Sequence, residues 1–282
     1  MPCPIKWSLD DTHNLFVASS TIAVFVDSWA ETHTMSFSGK VVIVTGASSG
    51  IGAATAVAFG REGASVVLVG RNDTKLKKVA ESVMKHLIVK ADVSKGDDAK
   101  LIISKTLETF GKIDVLVNNA GIARVGSLLA GDLMNSYDEV MNTNLRAVFH
   151  LTCLATPHLV KTKGNVVNIS SVAGSSTPPP SLVTYAVSKA ALDQFTRGAA
   201  SELAPAGVRV NVVSPGPVVT DIIENSGMTT SSYDEWGTRT ALGRSSDPAE
   251  MADLVLYLAS DKAKCITGAN VVADNGYLVK SQ

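Results

Sequence analysis

The run Val41-Val42-Ile43-Val44-Thr45-Gly46-Ala47-Ser48-Ser49-Gly50-Ile51-Gly52 decides how the rest of the chain is read. Four β-branched apolar residues in succession fit a strand buried on both faces, and such strands belong to parallel sheets covered by helices. The strand leads directly into a glycine-rich turn, and a helical pattern begins near Ile51. Gly46 takes the backbone out of the strand, Gly50 lets it approach a bound group without a Cβ in the way, and Gly52 allows close helix packing. The helix N-terminus then presents unpaired N–H groups, so the stretch reads as a phosphate cradle that includes Ser48, Ser49 and Ile51. A glycine cluster alone often marks an ordinary turn; its place between first strand and first helix makes the nucleotide reading much stronger.

Outward from this stretch, short β-branched runs alternate with longer helical patterns, as repeated βαβ units require. Strands are expected at 41–44, 66–69, 115–117, 166–169 and 208–213, with 86–89 and 270–272 as weaker candidates. Helices are expected at about 51–62, 74–85, 97–110, 132–160, 183–203 and 248–260. No solenoid-period repeat or low-complexity linker divides them. The expectation is a single doubly wound α/β domain over residues 35–282, with a parallel sheet of about seven strands and helices on both faces. Residues 1–34, with scattered Asp10, Asp11, Asp27 and Glu31 around a moderately apolar stretch, read as an N-terminal extension outside the core. They match neither a signal peptide nor an Arg-rich presequence, and Met35 stands where an alternative start would fall.

Bulk properties narrow the function. The 282 residues are 45% hydrophobic, enough for a sizeable core. Lys and Arg number 25 against 26 Asp and Glu, so no strong field draws the chain to nucleic acid or an anionic membrane, and a small molecule is the expected ligand. Cys3, Cys153 and Cys265 lie far apart without metal or disulfide spacing, which suits a reducing, cytoplasmic setting and suggests no metal site. No run reaches the roughly 20 apolar residues of a membrane-spanning helix.

The second strand ends at Val69-Gly70-Arg71-Asn72, where a dinucleotide fold meets the adenosine ribose. A carboxylate there holds a free 2′-hydroxyl, whereas Arg pairs with a 2′-phosphate. Gly70 supplies no carboxylate and Arg71 supplies a guanidinium, so NADP(H) is favoured, with NAD(H) the alternative should Asp73 reach the ribose instead. Asp92 and Val93 follow the third strand, and Asn118, Ala120 and Gly121 follow the fourth. Both groups stand at carboxyl ends of strands, where open α/β sheets place ligands. Asp92 is expected to accept from the adenine amino group, and Asn118, Ala120 and Gly121 to line the adenosine side.

Tyr185 and Lys189 stand four residues apart, on one face of a helix. A free phenol titrates near 10 and exchanges protons poorly at neutral pH; a nearby ammonium favours the phenolate and is expected to lower that value. Such a phenol can donate a proton to a carbonyl oxygen or take one from an alcohol. Tyr and Lys at this spacing are common surface decoration, and only the nucleotide loop upstream makes the pair persuasive.

Taken in order, the loop from Thr45 to Gly52, Asp92, Asn118 to Gly121, Asn144, Ser171, Tyr185 with Lys189, and Pro215-Gly216 with Thr220 resemble the short-chain dehydrogenase/reductase family over nearly all of Ser38 to Val279. The resemblance implies a Rossmann-type fold and a catalytic tetrad of Asn144, Ser171, Tyr185 and Lys189 beside a nicotinamide cofactor. Ser171 would hold the substrate oxygen, Tyr185 would transfer the proton, Lys189 would tune Tyr185 and contact the nicotinamide ribose, and Asn144 would anchor a water in a proton relay. Pro215, Gly216, Val218 and Thr220 resemble the family segment over the nicotinamide, with the Val218 backbone and Thr220 hydroxyl binding the carboxamide or pyrophosphate. Ser170 stays a rival to Ser171. Pro178-Pro179-Pro180 stiffens the approach to Tyr185 and is expected to reshape a substrate wall. Residues 222–239 read as a substrate lid, with Met228, Tyr233 and Trp236 as pocket candidates, their alternative being the packing of a short helix. The end of the chain resembles 3-oxoacyl carrier-protein reductases and their animal relatives, which implies a homotetramer in which the last strand is a partner surface. Asn275 stands where many relatives have glycine, and Asn tolerates left-handed backbone.

The leading expectation is therefore an NADPH-dependent reductase of a ketone or 3-oxoacyl group. Its rivals are an NAD-dependent secondary-alcohol dehydrogenase and a nucleotide-binding scaffold without turnover; a sugar-nucleotide epimerase is more distant.

Overall fold

Seven strands form one parallel sheet in the order β3-β2-β1-β4-β5-β6-β7 in the computed structural model, which describes residues 35–227 and 233–280. They are β1 (Val41–Thr45), β2 (Ser65–Gly70), β3 (His86–Lys90), β4 (Val115–Asn118), β5 (Asn165–Ile169), β6 (Arg209–Pro215) and β7 (Asn270–Ala273). The helices are α1 (Gly50–Arg61), α2 (Asp73–Ala80), α3 (Gly96–Phe110), α4 (Met134–Met141), α5 (Ala147–Thr162), α6 (Val183–Leu203), α7 (Tyr233–Thr238) and α8 (Pro248–Ala259). Every expected strand is present, including the two weaker candidates, and the doubly wound Rossmann-type architecture holds. The reading of residues 1–34, with Cys3, lies outside the described residues, as does Met228.

Alternation along the strands separates two apolar layers. Val42 and Val44 of β1, with Val66 and Leu68 of β2, pack beneath α1 and α8 together with Phe37 and Phe59. Val41, Ile43, Val67 and Val69 point to the opposite face, where Ile102, Leu151 and Leu159 of α3 and α5 cover them. Successive side chains of a strand face opposite ways, so a continuous apolar run is what two helical layers demand. Phe37 meets Phe59 edge to face at 4.8 Å, fastening the start of the domain to α1.

Two helices differ from expectation. The α2 pattern ends at Ala80 rather than Lys85, because residues 81–85 turn the chain into β3. The single helix expected at 132–160 begins at Met134 and contains a wide π turn, Asn142–Arg146. Such a turn displaces the helical ladder by one residue and commonly re-aims a side chain. The re-aimed side chain is Asn144, whose Oδ1 accepts from the Ile122 N–H at 2.8 Å while Nδ2 donates to the Ile122 carbonyl at 2.8 Å and to Ser188 Oγ at 3.0 Å.

The strand order reverses between β1 and β4, opening a crevice at their carboxyl ends, the position at which folds of this kind bind ligands. Asn119 spans the crevice floor: its N–H donates to Thr45 Oγ1 at 2.9 Å, and its Nδ2 donates to the Thr45 carbonyl at 2.8 Å.

Candidate active site

A cavity of about 540 Å³ runs along the carboxyl ends of the strands. At one end lie Arg71, Asp92 and Val93; in the middle, Gly46, Ser48, Ser49, Gly50, Ile51, Ala120, Gly121 and Thr220, whose Cγ2 stands 2.9 Å from where a Gly50 Cβ would be; at the other, Ser171, Tyr185, Lys189, Pro215, Gly216 and Val218. Its long, mixed wall suits a dinucleotide with room for a small substrate.

The glycine loop is built for close approach. Gly46 and Gly50 have φ of 68° and 54°, a left-handed region that a Cβ disfavours. A Cβ on Gly52 would stand 2.3 Å from the Gly46 carbonyl oxygen, so this glycine packs the helix onto the loop from behind and does not line the cavity. Ser49 occupies the α1 N-cap without capping it by its side chain, and the first turn holds no acidic residue. The positive end of the helix is thereby left for an anion. These features fit the pyrophosphate of a nicotinamide dinucleotide.

Asn118 is a correction. Its side chain is buried away from the cavity, with Nδ2 donating to Asn168 Oδ1 at 2.9 Å and to Thr152 Oγ1 at 3.3 Å. Strand alternation turns it toward β5 and α5, and its neighbour Asn119 faces the cavity instead. Asp92 does face the cavity. Its Oδ1 accepts from the Ser94 N–H at 3.1 Å and hydroxyl at 2.7 Å. Partial burial works to raise its carboxyl, but the Ser94 bonds, Arg71 and Lys95 together hold it below the usual carboxylate range. Arg71 is exposed, and among the described residues it makes no hydrogen bond or ion pair.

The end of the cavity at α6 is drier. Tyr185 and Lys189 lie one turn apart on α6, with Lys189 Nζ 5.7 Å from the Tyr185 ring centre. Lys189 is buried, and Nζ donates to the Ile169 carbonyl at the end of β5 at 2.8 Å. Burial lowers its ammonium from the ordinary 10.5 to about 8, with Asp193 opposing. Burial raises the Tyr185 phenol above its usual range, against a hydrogen bond with Ser171 that lowers it. The expectation that Lys189 lowers Tyr185 is thus not met by the protein alone: desolvation of the ring dominates, and the lysine is the group that yields.

Ser171 precedes the 3₁₀ turn Val172–Gly174, and its Oγ accepts from the Ala173 N–H at 3.2 Å, which orients the hydroxyl toward Tyr185. Its rival Ser170 is buried and donates to the Lys189 carbonyl at 3.2 Å, so it fastens β5 to α6. Asn144 does not line the cavity. It clamps both backbone groups of Ile122, and Gly121 leaves Asn144 Oδ1 and Lys189 Nζ uncovered: each stands 3.4 Å from where a Gly121 Cβ would be.

Beyond Ser171, Tyr185 and Lys189, the residues Ile122, Val172, Pro178, Pro179, Leu182, Ile223 and Trp236 make this end of the cavity largely apolar. Pro178 and Pro179 line the cavity, whereas Pro180 does not. Tyr233 and Trp236 line the cavity, and the Tyr233 hydroxyl donates to the Thr220 carbonyl. Sequence reasoning missed Asn119, Arg124, Asn225 and Tyr277. Asn118 and Asn119 stand at the end of a strand that is buried on both faces, so nothing local tells them apart, and Arg124 and Tyr277 carry no local signal. Arg124 reaches the wall already neutralised, forked onto Glu139 at 2.9 and 2.7 Å.

Comparison with known proteins agrees with this geometry. Residues 46–278 match the family described as enoyl-(acyl carrier protein) reductase. A short-chain dehydrogenase/reductase of unknown function from Caenorhabditis elegans, solved with cofactor, superposes with a TM-score of 0.82 at 37% identity, covering 87% of this chain and 97% of that one. The chain belongs to the short-chain dehydrogenase/reductase family. Among its members, the 3-oxoacyl-(acyl-carrier-protein) reductase of Thermotoga maritima is 37% identical over 250 residues, 87% of this chain and all of the relative. The meso-2,3-butanediol dehydrogenase of Serratia marcescens is 37% identical over 244 residues, 86% of this chain and 96% of the relative. This short-chain dehydrogenase/reductase is accordingly an oxidoreductase of carbonyl and alcohol groups with an NAD(P)-binding fold. Among its described residues, no helix is long and apolar enough to cross a membrane.

Proposed function

We propose that the protein is an NADPH-dependent reductase of a ketone or 3-oxoacyl carbonyl, working reversibly on the corresponding alcohol. The observation that carries the reading is one continuous cavity with Arg71, unpaired among the described residues, at one end and Ser171, Tyr185 and Lys189 together at the other. The nicotinamide, when bound, supplies the hydride. The chain's own part is positioning and proton transfer. Ser171 Oγ donates to the substrate oxygen and stabilises the negative charge that develops there. Tyr185 Oη delivers the proton, and a phenol raised by burial favours holding that proton until the oxygen becomes basic. Lys189, with Nζ 5.7 Å from the Tyr185 ring centre, stands close enough to stabilise the negative charge that Tyr185 acquires when it gives up its proton. Asn144 is a positioning residue that fixes Ile122 in the wall and, in this reading, lies beside the route by which protons reach Lys189.

The apolar substrate end, with Arg124 internally neutralised, favours an uncharged group at the reacting carbon. The similarity to a 3-oxoacyl-(acyl-carrier-protein) reductase supports an acyl substrate. The similarity to a butanediol dehydrogenase favours the second reading, oxidation of a secondary alcohol with NAD. A homotetramer is the proposed assembly, supported by β7 at the sheet edge and by exposed Val272 and Val279 near it. The proposed setting is the cytoplasm. Initial rates with NADPH and NADH over a panel of ketones, 3-oxoacyl thioesters and diols test the assignment. NADPH is expected to give the higher kcat/KM, and Arg71→Ala is expected to erase that preference. Unchanged NADPH kinetics in Arg71→Ala removes the cofactor argument.

A further inference from the structure

We infer that Lys75 is a second cation for the cofactor 2′-phosphate, held by Asp221 until the phosphate takes its place. The inference rests on the NADPH reading and adds to it a residue and a direction of coupling. Lys75 is in the first turn of α2, with its N–H donating to Asn72 Oδ1 at 3.0 Å, four residues after Arg71. Arg71, Asn72 and Lys75 share the cavity wall beside Ser48. Across the cleft, Lys75 Nζ meets Asp221 Oδ2 at 2.6 Å, a contact between residues 146 apart in sequence. Asp221 also accepts from the Ser49 hydroxyl, so its carboxylate keeps one partner when the lysine leaves.

The chemistry of the two cations differs. Among the described residues Arg71 is unpaired, whereas Lys75 is already neutralised by a group that would repel a phosphate. The pair is solvated, with side chains 53% and 36% exposed. Water screens such contacts, so a doubly charged phosphate beside Arg71 can win the lysine from a single carboxylate. A long flexible side chain on a rigid first turn can swing between the two anions without moving the helix.

The exchange has a consequence on the far wall. Asp221 follows Thr220 and precedes Ile222 and Ile223, all of which line the cavity. Loss of Lys75 frees the start of this segment from α2, so the 2′-phosphate would loosen a wall that NADH leaves fastened.

The alternative is a permanent strap, with Lys75 and Asp221 closing the cleft over either cofactor. The two arrangements predict opposite signs for the two partners. Dissociation constants for NADPH and NADH are measured by calorimetry on the full-length protein, its Lys75→Gln and Asp221→Asn variants, and Arg71→Ala as reference. A competing carboxylate predicts that Lys75→Gln weakens NADPH about tenfold with NADH little changed, and that Asp221→Asn tightens NADPH severalfold. A parallel loss of both cofactors in both variants shows a strap and overturns the inference. So does an unaltered NADPH to NADH ratio in Lys75→Gln while Arg71→Ala collapses it. Preference of the wild type for NADH overturns the cofactor reading itself, and this inference with it. Both substitutions are at solvated positions, so folded variants are expected.

Discussion

Lys189 donates to the main-chain carbonyl of Ile169, the last residue of β5, and together with the Ser170 hydroxyl on the Lys189 carbonyl this bond ties α6 to the sheet beneath the cavity. The strand thereby fixes the height of the ammonium beside Tyr185. Burial is the other effect of the arrangement, and the two together govern how the site responds to pH.

Stability should carry the imprint of that burial. Below about pH 8 Lys189 is protonated in both folded and unfolded chains, and the folded state bears the whole desolvation cost. Between about 8 and 10.5 only the unfolded chain keeps the proton, so stability rises with pH across this window and levels above it. The shift corresponds to about 3 kcal/mol. Urea unfolding of the cofactor-free protein at pH 7 and 10.5 measures it against Lys189→Met. Wild type is expected to gain on the variant as pH rises; a constant difference between the two contradicts the assignment.

Tyr185→Phe should remove proton transfer while leaving the fold. A positioned acid contributes about 100- to 10,000-fold to rate, and kcat is expected to fall within that range. Cofactor affinity should change little. Turnover comparable to wild type over the whole carbonyl panel would refute Tyr185 as the acid.

Asn144→Ala leaves both the N–H and the carbonyl of Ile122 without their partner in a buried setting. Unpaired buried groups cost about 1 to 3 kcal/mol each, and the variant is expected to lose about 3 kcal/mol in chemical denaturation. A loss of activity with unchanged stability would instead place Asn144 in the chemistry alone.

Two glycine-to-alanine changes should act oppositely. At Gly52 the new methyl would stand 2.3 Å from the Gly46 oxygen, so the loop must shift. Cofactor affinity is expected to fall at least tenfold, with about 1 to 3 kcal/mol lost in stability. At Gly198, in α6, nothing lies within 4 Å of the added carbon, and the helix is expected to gain about 0.5 to 1 kcal/mol. Thermal melts of both variants decide the comparison.

Much of this was legible along the chain. The run from Val41 to Gly52 announces strand, turn and helix because those preferences are local: β-branched residues, glycines and a helical repeat act within a few residues of one another. The same locality places Tyr185 and Lys189 on one helical face, and Asn275 in the left-handed backbone that the structure gives it at φ 51°. What could not be read locally was the direction of side chains at element ends. Asn118 and Asn119 are the same residue type in adjacent positions, and only the pleat of β4 sends one into the core and the other to the cleft. The π turn at Asn144 likewise arises where α4 and α5 must bring a carboxamide to Ile122, across a gap of 22 residues.

The sequence alone determined the order of elements, the nucleotide loop and the residue types of the site, because each depends on neighbours in the chain. Tertiary structure decided which of them meet: Lys75 with Asp221, Arg124 with Glu139, Lys189 with a strand-end carbonyl. It also decided how far burial moves Tyr185 and Lys189, since desolvation depends on everything packed around a group and not on its place in the chain.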